Sequence, residues 1–431
     1  MVVIVSNRLV PDKFRLPVEK LRAGYKSDTY FNRTGQILSL DRRSVGVTMQ
    51  LFQKVPDAVV CGVDHALAIL AVGTGWYKNP YTAKRLFRMY LELEKEVYGL
   101  WRDLSNAEWE EFSRKQRELF DVSKELDDLW VNGYGDLKIE ALYDGESVGA
   151  RQPVMLIRGD IKTFVHLETP YLGALTDGTM VCTNTRDVIR AASGKPVYMF
   201  GARHQSAESQ AGSGYAAYVG GATGVSTDEQ GEFWESRGNG TIPHVLIASY
   251  GGDTVLATKK FDEYMNITIR RVSLVDFEND SVRTSIEVAR AVGNLYAVRL
   301  DTSENMVDEC FKSLKRGGYY EIKDADGQVA CVSEDIVRGV NEYLVQAVRR
   351  GLDEAGFPGV KIFVSGGFTP EKIRRFEDRK VPVDIYGIGS SLFDRRGGKF
   401  EYTADVVEPV AKAGRGLWEG PALHQVDTSI R

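Results

Sequence analysis

Between residues 196 and 388, short apolar runs end one after another in a glycine or a polar side chain. Pro196–Phe200 leads into Gly201 and Arg203, Val272 runs to Asp276, and Leu295 runs to Arg299 with Asp301 beyond. Lys361 runs to Ser365 with Gly366 and Gly367 beyond, Val383 to Gly387 with Gly389 and Ser390 beyond, and Val245–Ser249 is a sixth such run. Between them lie segments of helical period, DSVRTSIEVARAV and EDIVRGVNEYLVQAVRRGLDEAG. Uninterrupted apolar strands alternating with helices are what a parallel sheet covered by crossover helices requires. The pattern predicts an α/β fold with a barrel over residues 155–393. The strand ends of such a barrel converge on one mouth, where the site is built.

The flanking sequence has a different texture. Residues 1–154 read as an N-terminal α/β lobe, with a strand-like Val45–Phe52 and, from Pro80 to Trp130, two amphipathic helices with apolar residues at i, i+3, i+4 and i+7. Leu137–Asp160 reverts to short strands broken by Asp-Gly and other glycine turns, a small β-rich part packing on those helices. Residues 394–431 are expected to pack back on the lobe. A chain of 431 residues with 43% hydrophobic content has ample core for two or three domains. Its 43 glycines, about a tenth of the chain, exceed the usual share of roughly 7% and suit a fold that brings backbone close to phosphates.

The net charge of −5 and the lack of any Lys/Arg run exclude an electrostatic footprint for nucleic acid. The apolar part of MVVIVSNRLVPDKF is too short for a signal sequence, and no stretch approaches the ~18 apolar residues of a membrane span, so a cytoplasmic location is expected. Cys61, Cys182, Cys310 and Cys331 lie far apart without a CxxC pair, which predicts buried reduced thiols rather than a zinc site or a disulfide framework.

Ser365-Gly366-Gly367 and Gly387-Ile388-Gly389-Ser390 are the sharpest local signals. The first opens into a helix signature, with Thr369 as N-cap and Pro370 at N1. Glycine-rich strand ends expose backbone N–H groups that bind anions, although the same glycines also serve tight turns. His244, at the end of Gly238-Asn-Gly-Thr-Ile-Pro, is either a structural histidine or a nucleophile able to accept and release a phosphoryl group, with Thr241 beside it. Arg299 with Asp301, and Asp276 with Glu278, read either as internal ion pairs or as a guanidinium receptor for a planar carboxylate faced by carboxylates that orient Mg²⁺ or a sugar hydroxyl. Arg203 admits the same two readings.

In this order SDTYF, HLETPYL, CTNTRDVIRAASGKPVYMFGARH, GNGTIPH, AVRLDTS, SGGF and DIYGIGSS resemble the nicotinate phosphoribosyltransferases, relatives of the quinolinate and nicotinamide enzymes, over most of the chain. The resemblance implies an N-terminal α/β lobe joined to an irregular, incomplete α/β barrel. It implies joining of nicotinate to phosphoribosyl pyrophosphate (PRPP) with Mg²⁺ and coupled ATP hydrolysis, in a homodimer with shared active sites or a larger homo-oligomer. By the same resemblance Tyr30 borders the pyridine ring across the dimer interface, Thr241 and Arg299 engage its carboxylate, Arg203 helps with anionic substrates, and His244 is the phosphorylated histidine. Ser365, Gly366, Gly367, Gly387, Gly389 and Ser390 hold the PRPP phosphates, and Asp301 is counted with His244 and Arg299 in the catalytic set; the metal ligands are left unassigned, with Asp276 and Asp301 as candidate Mg²⁺ neighbours from the residue pattern. The chain departs from the family where two arginines are usual and it has Arg203-His204, and where Ser303-Glu304 replaces Gly-Asp. A quinolinate enzyme would need more cations around the ring and no phosphorylatable histidine. A sugar-phosphate aldolase or isomerase would need a lysine or carboxylate base at a strand end.

Overall fold

In a computed structural model, which describes residues 2–101, 108–323 and 328–429, the chain forms two compact units. One comprises Ile4–Thr179 with Arg395–Arg431, the other Met180–Asp394 with the first three residues.

The first unit is built on a five-stranded antiparallel sheet in the order Thr403–Glu408, Gly46–Phe52, Met155–Asp160, Lys138–Ala141, His424–Gln425. The sequence reading starts the barrel at 155, whereas Met155–Asp160 pairs on both sides with lobe strands and residues 155–179 belong to this unit. An apolar run such as MLI carries no mark of whether its partners are parallel or antiparallel. The amphipathic pair Pro80–Trp101 and Glu108–Leu129 closes on Ala83, Leu86, Leu93, Val122 and Leu126.

The second unit carries a six-stranded sheet: β1 Val197–Met199, β2 Gly224–Val225, β3 Arg271–Leu274, β4 Leu295–Leu300, β5 Lys361–Val364 and β6 Ile385–Ile388. The order is β3-β4-β5-β6-β1-β2, every pair parallel. Its helices include α1 Gln210–Val219, α2 His244–Ser249, α3 Thr254–Tyr264, α4 Ser281–Ala291, α5 Glu342–Glu354 and α6 Pro370–Asp378. Because all strands run one way, their carboxyl ends lie along one rim. Val272, Ala297, Phe363 and Ile385 form one apolar cluster, against which Tyr198, Phe200 and Tyr296 pack.

The sheet does not close into a full barrel. Between its edge strands runs the irregular segment 238–242: Gly238 makes a lone bridge to Val225, Asn239 N donates to Val225 O (2.7 Å), and Ile242 N donates to Val272 O (3.3 Å). Gly238 has no room for a side chain, since a Cβ would come within 2.8 Å of Thr227 backbone. The α/β class and the incomplete barrel thus take physical form as a curled parallel sheet with a seam.

Two local expectations differ. Val245–Ser249 is not a strand: it is part of α2, entered from extended Pro243 and ended by positive-φ Gly251 and Gly252, with only Ile247 buried and Val245 exposed. A five-residue apolar run is compatible with either state. The helical pattern 334–356 breaks at Gly339 (φ +60°), and Asn341 restarts it as the cap of α5, its Oδ1 accepting from Leu344 N at 3.0 Å and its Nδ2 donating to Val337 O and Gly339 O. Cys61 and Cys182 are buried, as expected of core thiols, but Cys331 is exposed on the hairpin strand Val329–Val332. Among the described residues no helix is long and apolar enough to cross a membrane.

Buried Asn341 makes all three of these bonds, so Asn341→Ala should lower stability by about 2 kcal/mol, read as a fall in the urea midpoint at unchanged slope.

Candidate active site

Arg299 stands next to the last residue of β4, in register with Leu274 and Phe363, and three neighbouring segments fix its guanidinium. Its Nε donates to Ser365 Oγ at 2.9 Å, one terminal nitrogen donates to Thr241 Oγ1 at 3.1 Å, and the other donates to Asp301 Oδ2 at 3.0 Å. The guanidinium carbon lies 5.0 Å from the centroid of the Phe200 ring. A guanidinium has five N–H donors, so two remain uncommitted to the described residues.

The partners are themselves tied down. Ser365 Oγ has one hydrogen and two acceptors within reach, Asp301 Oδ1 at 2.7 Å and Leu300 O at 3.2 Å, and the shorter, charged contact takes it. The Thr241 hydroxyl, accepting from Arg299, donates to Ile242 O at 3.2 Å. Thr241 belongs to the seam segment, so a gap between edge strands becomes the place where a side chain reaches the rim.

His244 opens α2 just beyond the seam. Its Nε2 lies 3.2 and 3.3 Å from the two oxygens of Asp276, a nearly buried carboxylate, while the ring itself is half exposed. Burial raises the Asp276 pKa above the ordinary aspartate value, His244 opposes this, and the negative charge of Asp301 adds to it. An ionised Asp276 can only accept, which leaves the proton on Nε2 and the lone pair on Nδ1.

The two glycine motifs differ in what they need glycine for. Gly366 (φ +81°) and Gly367 (φ +66°) are exposed and left-handed, a conformation that turns consecutive N–H groups outward ahead of α6. Thr369 caps α6 by accepting from Lys372 N, and Pro370 follows at N1. Gly387, by contrast, is buried within β6, and a Cβ there would come within 2.8–2.9 Å of the rings of Phe200 and Phe363. Its bareness makes room for the aromatic floor under Arg299. Gly389 lies against His204, whose Nε2 would be 3.0 Å from an added Cβ, and exposed Ser390 starts a short 3-10 turn.

The residues at 241, 299, 301 and 365 thus form one bonded group, with the pair His244–Asp276 coupled to it through the charge of Asp301. Arg203 is exposed in the short turn Ala202–His204 and has no hydrogen-bond partner among the described residues. Tyr30 belongs to the other unit, exposed on the helix Thr29–Leu40. Phe200 escaped the sequence reading as a site residue; an aromatic ending a strand just before Gly201 was its only signal. Half-buried Lys372 also escaped it. Burial pulls its ammonium down to about 8 beside the rings of Phe368 and Phe376, and the helix-start position was the available clue.

No family model matches the chain. A nicotinate phosphoribosyltransferase of Bacillus subtilis is 23% identical over 257 residues, 58% of this chain and 45% of the relative. A nicotinate phosphoribosyltransferase of Mycobacterium tuberculosis, pncB1, is 25% identical over 264 residues, 60% of this chain and 50% of the relative. The matches therefore span about half the length of these curated relatives. Among solved structures, the nicotinate-nucleotide pyrophosphorylase from Pyrococcus furiosus superposes with a TM-score of 0.64 and 26% identity, covering 92% of this chain and 79% of that one. A parallel half-barrel with a mouth of this composition is a phosphoribosyltransferase-type fold. The chain is thus similar in sequence to nicotinate phosphoribosyltransferases and in fold to a nicotinate-nucleotide pyrophosphorylase.

Gly387→Ala should overpack Phe200 and Phe363 and cost about 1–3 kcal/mol, seen as a lowered melting temperature; Gly367→Ala, with open space around it, should cost mainly its backbone strain.

Proposed function

We propose that the chain is a nicotinate phosphoribosyltransferase, which forms nicotinate mononucleotide and pyrophosphate from nicotinate and PRPP with ATP hydrolysis coupled through His244, in NAD biosynthesis. The observation that carries the reading is the Arg299 group. A guanidinium held by Ser365, Thr241 and Asp301, with two N–H groups uncommitted, is preorganised for a planar carboxylate.

In this reading the pyridine nitrogen attacks the anomeric carbon, the C–N bond forms, and the C–O bond to pyrophosphate breaks. The nitrogen is unprotonated near neutral pH and needs no base, so this chain contributes positioning and charge. Arg299 and Thr241 orient the ring carboxylate, and Phe200 floors the guanidinium. The backbone of Gly366, Gly367, Gly389 and Ser390 takes the phosphates, and exposed Arg203 adds positive charge. Gly387, expected from the family likeness to touch phosphate, also shapes the floor.

Asp276 and Asp301 suit Mg²⁺: the charge of one raises the pKa of the other, a repulsion that a divalent cation relieves. Among the described residues no cluster of three or more His, Cys, Asp or Glu side chains forms a cage, in keeping with a cation that takes one or two carboxylates plus substrate oxygens. Bound there, Mg²⁺ would supply charge stabilisation to the departing pyrophosphate.

ATP would phosphorylate His244. An N–P bond forms at Nδ1 as the bond from the γ-phosphorus to the bridging oxygen breaks and ADP leaves; hydrolysis then returns the imidazole and phosphate. Asp276 holds the tautomer this requires.

The exposed helix Thr29–Leu40 presents Tyr30, Ile37 and Leu40 along one face, with none of its residues buried. Such a stripe suits a second copy of the chain, so we read the protein as a homodimer with Tyr30 at the shared site. A cytoplasmic setting suits cysteines held as thiols rather than disulfides.

Incubation with PRPP, Mg²⁺ and either nicotinate, nicotinamide or quinolinate, each with and without ATP, tests the assignment: nicotinate should give the mononucleotide, at a higher product ratio with ATP. No nucleotide from any of the three would sink it. His244→Ala should abolish ATP hydrolysis while leaving slow, uncoupled transfer; full coupling in that variant would refute the phosphohistidine. Asp276→Asn, which removes the charge that holds the proton on Nε2 of His244, should lower ATP-coupled turnover across the pH range, read as less ADP released per mononucleotide formed.

A further inference from the structure

Lys372 is half buried in the first turn of α6, and its ammonium has neither a hydrogen-bond acceptor nor an ion-pair partner among the described residues. Its Nζ lies 4.3 Å from the centroid of the buried Phe368 ring and 5.9 Å from that of Phe376. The carboxylate that acts on it most strongly is already shared out: Glu342, at the start of α5, binds Arg375 at 2.6 Å and Arg379 at 3.4 Å.

Opposed influences bear on this amine. Burial and the charge of Arg375, one turn along α6, favour the neutral form, and the positive end of the helix dipole does the same. Glu342 opposes them, as does exposed Glu304 in the insertion 302–340 between β4 and α5. The ammonium titrates at about 8, so part of the amine is uncharged at neutral pH, where an ordinary lysine is almost wholly protonated. A lysine desolvated beside another cation is an activated nucleophile.

Position adds direction. A side chain in the first turn of a helix leans toward the N-terminus, here toward left-handed Gly366 and Gly367. Phe368, the ring beneath Nζ, directly follows them. A reagent that carries a phosphate next to an electrophilic carbon would meet the backbone N–H groups with one end and the amine with the other.

We propose that Lys372 is a site of covalent modification by acyl phosphates, the phosphate seated on the backbone at 366–367 and the acyl carbon presented to Nζ. The neutral amine attacks the carbonyl carbon and the C–N bond forms. The C–O bond to phosphate breaks, inorganic phosphate leaves with the electron pair, and the proton of the amine passes to water. The resulting amide is uncharged, so modification removes a cation beside the end of β5, adds bulk over Phe368 and lowers transferase activity. The inference rests on the reading that the backbone at 366–367 takes a phosphate of PRPP.

The full chain is incubated with acetyl phosphate near neutral pH and acetylation of each lysine is followed by peptide mass spectrometry. Exposed Lys259 and Lys380 serve as internal references, and acetic anhydride as a reagent without phosphate. The proposal expects acetyl phosphate to modify Lys372 at least tenfold faster than either reference, the anhydride to show a smaller preference, and PRPP–Mg²⁺ to protect. Activity should fall in step with acetylation at 372, and whatever activity Lys372→Arg retains should withstand the reagent. Modification of Lys372 no faster than of Lys259 and Lys380 overturns the proposal, however the variant behaves. The same preference with both reagents and no protection by PRPP also overturns it, by removing the phosphate from the selection. Calorimetry on the untreated chain separates the two readings: if PRPP–Mg²⁺ binds while Lys372 is not selected, this proposal fails alone, and if PRPP–Mg²⁺ does not bind, the phosphate reading fails and this proposal with it.

Discussion

The second unit's chemistry depends on holding one positive charge still. Arg299 is mostly withdrawn from water, and a guanidinium in that position is costly unless nearby acceptors replace its hydration. Here the acceptors come from the residue after β4, from the residue after β5 and from the irregular seam, so the charge ties three segments together. Each such bond contributes about 1.5–3 kcal/mol net, and loss of one partner strands the others. The same bonds remove the rotamer freedom that a free arginine would lose on binding a carboxylate.

The rest of the rim is arranged around this constraint. Gly387 yields space to Phe200, whose ring floors the guanidinium, and to Phe363, which packs against Phe200; Asp301 serves both Arg299 and Ser365, and its charge acts on Asp276. The incomplete sheet has a function in this light. A closed barrel would pair β2 with β3 and leave no irregular backbone from which Thr241 and His244 could reach the mouth.

Much of this was legible in the sequence. Polar residues ending apolar runs marked the rim, and Thr369-Pro370 marked the start of α6, because strand ends and helix caps obey local rules. What remained hidden was non-local. HVLIAS became a helix because Pro243 and the glycines at 251 and 252 set its limits, while the strand at 155–160 joined the lobe through antiparallel partners far away in the chain. Gly387 looked like a phosphate glycine, and only the positions of two aromatic rings reveal its packing role. The insertion 302–340 carried no periodicity that foretold a hairpin.

A crystal structure of the chain with nicotinate mononucleotide and Mg²⁺-pyrophosphate tests the central claim most directly. The account predicts the pyridine carboxylate within hydrogen-bond distance of Arg299 and Thr241, and the mononucleotide phosphate on the backbone at 366–367 or 389–390. A carboxylate bound elsewhere, with Arg299 still engaged only by Ser365, Thr241 and Asp301, would contradict it.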